Sequence, residues 1–194
     1  GFCQIGIGVL HQTAETAAKS SFKLNVKQKN WLVSAHVASG AIWLGTGLCL
    51  VIMGVKNVDA PNGDALYAIN EICKFLDDFV IVPTATLSLV TGFFLSWFTN
   101  WGFVKHYWVI TKWVLTVSAI VFGTFWIGPW INAMTSISAA ERLQALQNPL
   151  YMFDNHGIIW GGLAINISLL VIIAVSLLKP WGRRLSEKKK KSAG

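Results

Sequence analysis

Four long apolar blocks, each closed by a polar break, constrain this chain more than anything else in its 194 residues. The first, Trp31 to Gly54 (WLVSAHVASGAIWLGTGLCLVIMG), has 24 residues, no charge at neutral pH and one histidine. A hydrocarbon layer about 30 Å thick is crossed by roughly 20 apolar residues at ~1.5 Å rise each, so this block is long enough to span a membrane with some tilt. Residues 75–98, 107 to about 134, and 156–178 are spanning lengths as well. A soluble helical bundle shows charged residues at every turn of its outer face, and these blocks do not. Tryptophans at the block ends (Trp31, Trp97, Trp101, Trp108, Trp130 and Trp181) suit the membrane interface. The expected fold is therefore all-α, an integral membrane four-helix bundle.

Charge sets the expected orientation, because short loops rich in Lys and Arg stay cytoplasmic. The tail KPWGRRLSEKKKKSAG after Leu178 carries seven Lys or Arg, the entry to the first span carries Lys23, Lys27 and Lys29, and the turn before the third carries Lys105. Loops 55–74 and 135–155 are acidic or nearly neutral. One topology satisfies every connection, with both termini cytoplasmic and the two long loops outside. The chain divides into an interfacial arm over 1–30, with a short amphipathic helix expected between Thr13 and Leu24, a transmembrane domain over 31–178, and a basic tail over 179–194. A bacterial inner (plasma) membrane is the expected location. The net charge of +7 sits largely at the cytoplasmic ends, where it attracts anionic headgroups. The Lys188 to Lys191 run has no stacking aromatics, so no nucleic-acid partner is expected. Cys3, Cys49 and Cys73 have no paired spacing, which argues against a zinc site or a disulfide framework. Cys49 reads as apolar filler, and Cys73, near the outer surface, as the thiol open to oxidation. There is no signal peptide of the usual form and no initiating Met, so the start is expected to be incomplete or processed.

Polar groups inside the blocks carry the functional information, since an ionisable side chain in a span is costly and turns toward a partner, a cavity or a cofactor. At ~100° per residue, His36 shares a helix face with Gly40, Trp43, Gly47 and Gly54, an imidazole at one end of a small-residue groove. In the third block Lys112, Thr116, Ala119, Gly123, Trp126 and Trp130 form a similar face. His36 and Lys112 each lie five residues inside the cytoplasmic end, ~7 to 8 Å deep, so they can meet at one level. His106 is near that level but about 120° round the helix from Lys112. His156 marks the opposite surface and cannot share a planar cofactor with His36, although Met53, Met134 or Met152 could reach that outer level as soft partners. In the second block Asp77, Thr84, Ser88 and Thr91 form a polar stripe, and Pro83 predicts a kink at Phe79. Gly128-Pro129 loosens the outer end of the third helix. Ser138 to Gln147 reads as a short amphipathic helix on the surface, ended by Asn148-Pro149. Asn155, Gly162 and Asn166 share a face of the last block, with Asn166 bonded across a helix pair.

An imidazole on a glycine face with indoles nearby suits a haem pocket, and the absence of CxxCH makes any haem non-covalent, haem b. His36, His106 and His156 are the candidate metal ligands. His36, Gly40, Trp43, Gly47, Lys112, Thr116 and Gly123 are the candidate cofactor contacts. The same faces also suit plain helix crossings, with His36 hydrogen-bonded to a neighbour. WLVSAHVASGAIWLGTGLCL resembles the H-x(n)-[AI]-x-W-x-G opening of small membrane proteins of the copper-resistance D type and of the membrane-bound protoporphyrinogen oxidase related to them. YWVITKWVLTVSAIVFG resembles the W-x(n)-K motif of the oxidase group. That resemblance implies about four helices around a b-type haem, with His36 and Lys112 as the functional pair. The usual continuation of the first helix is replaced here by TGLCLVIMGVKNV. Three functions stay open: a haem-binding redox protein, electron carrier or oxidase of a small substrate such as a porphyrinogen; a cofactor-free transporter or metal-handling protein using Asp77 and the polar stripe; and an accessory subunit docked in a homo-oligomer or larger membrane complex.

Overall fold

A computed structural model of the chain describes residues 25–98 and 107–178. The expected helix at 13–24, His106, Trp101, Lys105 and the basic tail lie outside the described residues. Among the described residues there is no strand, and four helices are long and apolar enough to cross a membrane. They are α1 (Val26–Asn57), α2 (Gly63–Phe98), α3 (Tyr107–Gln147) and α4 (Pro149–Leu178). The chain enters α1 and leaves α4 at the end expected to face the cytoplasm, called inner here.

Local chemistry sets the helix ends. Asn62 caps α2, its side-chain oxygen accepting from the Ala65 N–H at 2.8 Å. Gly63 follows because Arg142 crosses above it: a Cβ there would stand 2.5 Å from Arg142 Cβ. Asn148 starts α4 in the same way, accepting from Leu150 N–H at 3.0 Å, with Pro149 as first helical residue. The expected surface helix over Ser138–Gln147 is different in the structure. α3 runs on without a break to Glu141, and only Arg142–Gln147 forms a separate 3₁₀ turn after Arg142 takes φ 54°. Ser138 and Ala145 are buried, because this stretch folds over the start of α2 rather than floating on lipid. Arg142 fastens it there, 4.7 Å from the Tyr67 ring and 3.6 Å from Asp64.

Both prolines inside the spans produce a π-helical segment rather than a simple kink. Asp77–Ile81 precedes Val82-Pro83, and Gly123–Ile127 precedes Gly128-Pro129. A proline offers no N–H and its ring collides with the carbonyl four residues back, here Phe79 and Phe125. Widening the turn absorbs the clash, with Val82 N–H bonding to Asp77 O and Gly128 N–H to Gly123 O.

The helices pack in the ring order α1–α2–α3–α4, with α1 and α3 on a diagonal. α1 lies against α4 and against residues 82–98 of α2, and residues 107–122 of α3 lie against α4. Beyond the π segments toward the outer end, residues 63–76 and 128–141 pack closely together. On the inner side the same two helices barely touch. α4 approaches both neighbours through glycines: a Cβ on Gly162 would meet Val51 at 2.7 Å, one on Gly157 the Trp130 ring at 2.7 Å, and one on Gly161 the Phe122 ring at 2.8 Å.

The burial pattern is that of a membrane bundle. Ser39, Asn57, Asn70, Ser88, Thr91, Thr135, Ser138, Asp154, Asn155 and Asn166 are buried, whereas Phe79, Phe125, Trp160, Ile167 and Leu177 face outward. Lipid tails solvate large apolar side chains, so the interior is left to small and polar groups that bond across helices.

Candidate functional site

His36 is held by α2. Its Nδ1 lies 3.0 Å from the Ser88 carbonyl and 3.0 Å from Thr91 Oγ1. A carbonyl can only accept, so Nδ1–H is the donor of this bond, and in the neutral ring Nε2 is then the nitrogen that carries the lone pair. Thr91 Oγ1 in turn donates to the backbone of its own helix, at 2.6 Å from Leu87 O and 3.1 Å from Ser88 O. Gly92 gives the ring room, since a Cβ there would stand 3.2 Å from His36 Cε1. One turn on, Gly40 faces Ser88.

Lys112 projects from α3 and is half-buried, its ammonium 5.8 Å from the centroid of the Trp108 ring and within electrostatic range of His36. The two groups sit on diagonally opposite helices that do not pack, with Lys112 near enough to act electrostatically on His36. The gap between the inner halves of α2 and α3 is crossed by side chains: Trp113 Nε1 donates to Ser96 Oγ at 3.3 Å, and the Trp113 ring meets Phe93 edge-on at 6.5 Å. Thr116 is half-buried on the same inner half of α3.

The rest of the predicted cofactor face is distributed differently. Trp43 is buried at the centre of the bundle with Ala85, Ala119 and Leu169, one residue from each of the other three helices. Gly47 and Gly54 do not border an open groove, because α4 covers them: a Cβ would meet Asn166 Nδ2 at 3.1 Å and Ile159 at 3.0 Å. Gly123 has nothing within 4 Å of a built Cβ, and it begins the π segment of α3 rather than lining the His36 site. His156 lies exposed at the outer end, its Nδ1–H bonded at 2.6 Å to Met152 O in the preceding turn. Among the described residues no three His, Cys, Asp or Glu side chains gather as a metal site.

The polar stripe of α2 is split by its π segment. Ser88 and Thr91 are buried toward α1, whereas Asp77 is half-buried toward α3, its Oδ2 3.7 Å from the place of a Cβ on Gly128. Thr84 turns its hydroxyl onto Val80 O at 2.6 Å. Asn166 likewise bonds its own helix, Nδ2 to Gly162 O at 2.8 Å, rather than crossing to a partner. Burial of the thiols is the reverse of the expectation: Cys73 is buried with its Sγ 3.8 Å from Met53 Sδ, and Cys49 is exposed on the apolar face of α1.

A second polar cluster, of which the sequence marks only Asn155, lies at the outer end. Asn57 Nδ2 donates to Asn70 Oδ1 at 3.1 Å and to Asn155 Oδ1 at 3.2 Å, and Asn70 Nδ2 donates to Tyr151 OH at 3.0 Å and to Leu66 O at 3.0 Å. Asn57 and Asn70 sit in loop-adjacent sequence that reads as solvated, and only the packing of α2 and α4 over them removes the water.

No curated protein and no solved structure matches the chain. Residues 30–180, which contain all four described helices but for the first turn of α1, match the model of a family described as predicted integral membrane protein. The chain belongs to that family, DUF2269.

Proposed function

We propose that this membrane protein is a redox protein that would hold a b-type haem at its inner end, with His36 Nε2 binding the iron and Lys112 as the cation for a haem carboxylate or an anionic substrate. The observation that carries the reading is the bond from His36 Nδ1 to the Ser88 carbonyl. A ligating histidine characteristically donates its second ring N–H to a carbonyl or carboxylate, which fixes the tautomer, orients the ring and raises the basicity of the ligating nitrogen. The donor chemistry at this place therefore fits the group. The covered glycines Gly47 and Gly54 take no part in it.

When bound, such a group supplies one-electron chemistry. The chain's own residues do the rest. Ser88 and Thr91 hold the imidazole in one rotamer. Lys112, half-buried beside the Trp108 face, offers a positive charge away from bulk water, where attraction to a carboxylate is stronger than at a hydrated surface. Phe93 and Trp113 stand across the lipid-side gap and limit access from the bilayer. The likeness of the first and third blocks to the copper-resistance D and protoporphyrinogen oxidase group supports the same pair of residues.

The test is the absorption spectrum of the purified, haem-supplemented protein, oxidised and reduced. The expected result is a Soret band that His36→Ala abolishes, that Lys112→Ala weakens or shifts, and that His156→Ala leaves unchanged. A featureless spectrum, or a band indifferent to His36→Ala, would overturn the proposal.

A further inference from the structure

The hydroxyl of Thr91 meets His36 as an acceptor and not as a donor. Its single proton is turned to its own helix, where Leu87 O lies at 2.6 Å and Ser88 O at 3.1 Å. Such back-bonding is general in this bundle, since Thr84, Thr86, Thr111 and Thr135 also bond the carbonyl four residues back. Thr91 alone among them stands against a ring nitrogen, its oxygen 3.0 Å from His36 Nδ1. The Ser88 carbonyl lies at the same distance, 3.0 Å, and it fixes the proton on that nitrogen. One N–H therefore faces two oxygens that both accept. Thr91 is 5% exposed, so bulk water does not compete for this contact, and hydrogen bonds in such surroundings are electrostatically stronger than in water.

An imidazole N–H drawn toward acceptors gives electron density to the ring, and the opposite nitrogen becomes a stronger donor. We propose that Thr91 is a positioning residue of the His36 site, the second acceptor that strengthens Nε2 as a donor and so favours the oxidised state of the iron it would bind. Hydrogen bonds to an axial ligand are one of the levers by which a protein sets the potential of a haem. Ser88 contributes a backbone carbonyl, which no side-chain substitution removes, so the adjustable half of this pair of acceptors is Thr91. Lys112 works in the opposite sense. Its positive charge lies within electrostatic range of His36 and disfavours the extra positive charge of oxidised iron. The two side chains thus oppose each other, one from α2 and one from α3. The effect on a potential rests on the haem reading; the bond between Thr91 and His36 does not.

The experiment uses the full chain in nanodiscs and reads two quantities. The first is the magnetic resonance of the His36 ring in protein carrying isotope-labelled histidine and no haem, assigned by the signals that His36→Ala removes. The expected result is an Nδ1–H tautomer whose proton resonance moves upfield in Thr91→Val, which keeps the branched shape without the acceptor, and returns in Thr91→Ser. Thr91→Ala removes the same acceptor and replaces the valine variant should that one not fold. The second is the midpoint potential of the haem-supplemented protein. Thr91→Val should raise it, Thr91→Ser should restore it, and Lys112→Ala should lower it; a residue that merely fills space would give neither the rescue nor the opposite signs. An Nε2–H tautomer in the wild type, an Nδ1–H resonance unchanged by loss of the hydroxyl, or a potential that Thr91→Val leaves unchanged or lowers would overturn the proposal. Failure to take up haem would overturn the haem reading, and with it the effect on a potential, while the resonance of the haem-free protein still decides whether Thr91 is the second acceptor.

Discussion

The two halves of this bundle use the same four helices in opposite ways. Toward the outer end, α2 and α3 pack against each other and enclose a continuous core of Leu50, Leu66, Cys73, Ile127, Ile131, Met134, Ala145, Tyr151 and Ile158, with the asparagine network threaded through it. Toward the inner end the matching core is small, Trp108, Val109 and Val175, and α2 and α3 part company. The change occurs at the two proline-induced π segments, which lie at one level: Asp77 of the first approaches Gly128 at the end of the second. The outer half is a clamp closed on all sides. The inner half is an open-sided frame in which α2 holds His36 and α3 carries Lys112, the two helices meeting through side chains such as Trp113 and Ser96 rather than by close backbone packing.

That contrast can be broken by experiment. The largest effect should come from Leu66→Ala, which empties a fully buried position in the clamp and should cost about 2–5 kcal/mol of stability in denaturation measurements. An unchanged melting curve would show that the outer core is not what holds the bundle. Next, Gly157→Val places branched carbon where the Trp130 ring already stands, and overpacking of this kind costs about 1–3 kcal/mol; loss of the α3–α4 contact should appear as earlier melting and faster proteolysis in the 142–148 connection. Tyr151→Phe deletes the hydroxyl that accepts from Asn70 while Leu66 O still receives the same amide, so a smaller loss of about 1 kcal/mol is expected. The smallest effect belongs to the inner half. Trp113→Phe removes one partly exposed bond to Ser96, and the melting temperature should move by less than in any outer variant, roughly 0.5 kcal/mol or less. A large destabilisation there would mean that the inner gap is a structural seam like the outer one, and the distinction drawn between the halves would fail.

Much of the architecture was legible in the chain because membranes impose a length and a polarity. The spans and the shared face of Asn155, Gly162 and Asn166 follow from those two constraints. The His36 site was half legible. An imidazole in an apolar span announces itself, and a common depth brings Lys112 to its level. Helix periodicity says which residues share a face but not which neighbour that face meets. Gly47 and Gly54 looked like the floor of a groove and are instead the seat of α4. Of the outer cluster only Asn155 gave a signal, as part of the face it shares with Gly162 and Asn166: Asn57 and Asn70 lie in segments whose composition resembles any hydrated loop end.

By itself the sequence determined four membrane-crossing helices, the positions of their proline faults and the depth of each polar group, because these depend on transfer free energy, backbone donors and rise per residue, all local properties. Only the tertiary structure decided which helices are neighbours and which faces are covered. It thereby buried Cys73 and left Cys49 exposed on α1, divided the polar stripe of α2 between α1 and α3, and buried Asp154. Those outcomes depend on close approach between residues far apart in the chain, such as Asn57 and Asn155, 98 positions apart. Burial is a property of that packing and not of the residues that undergo it.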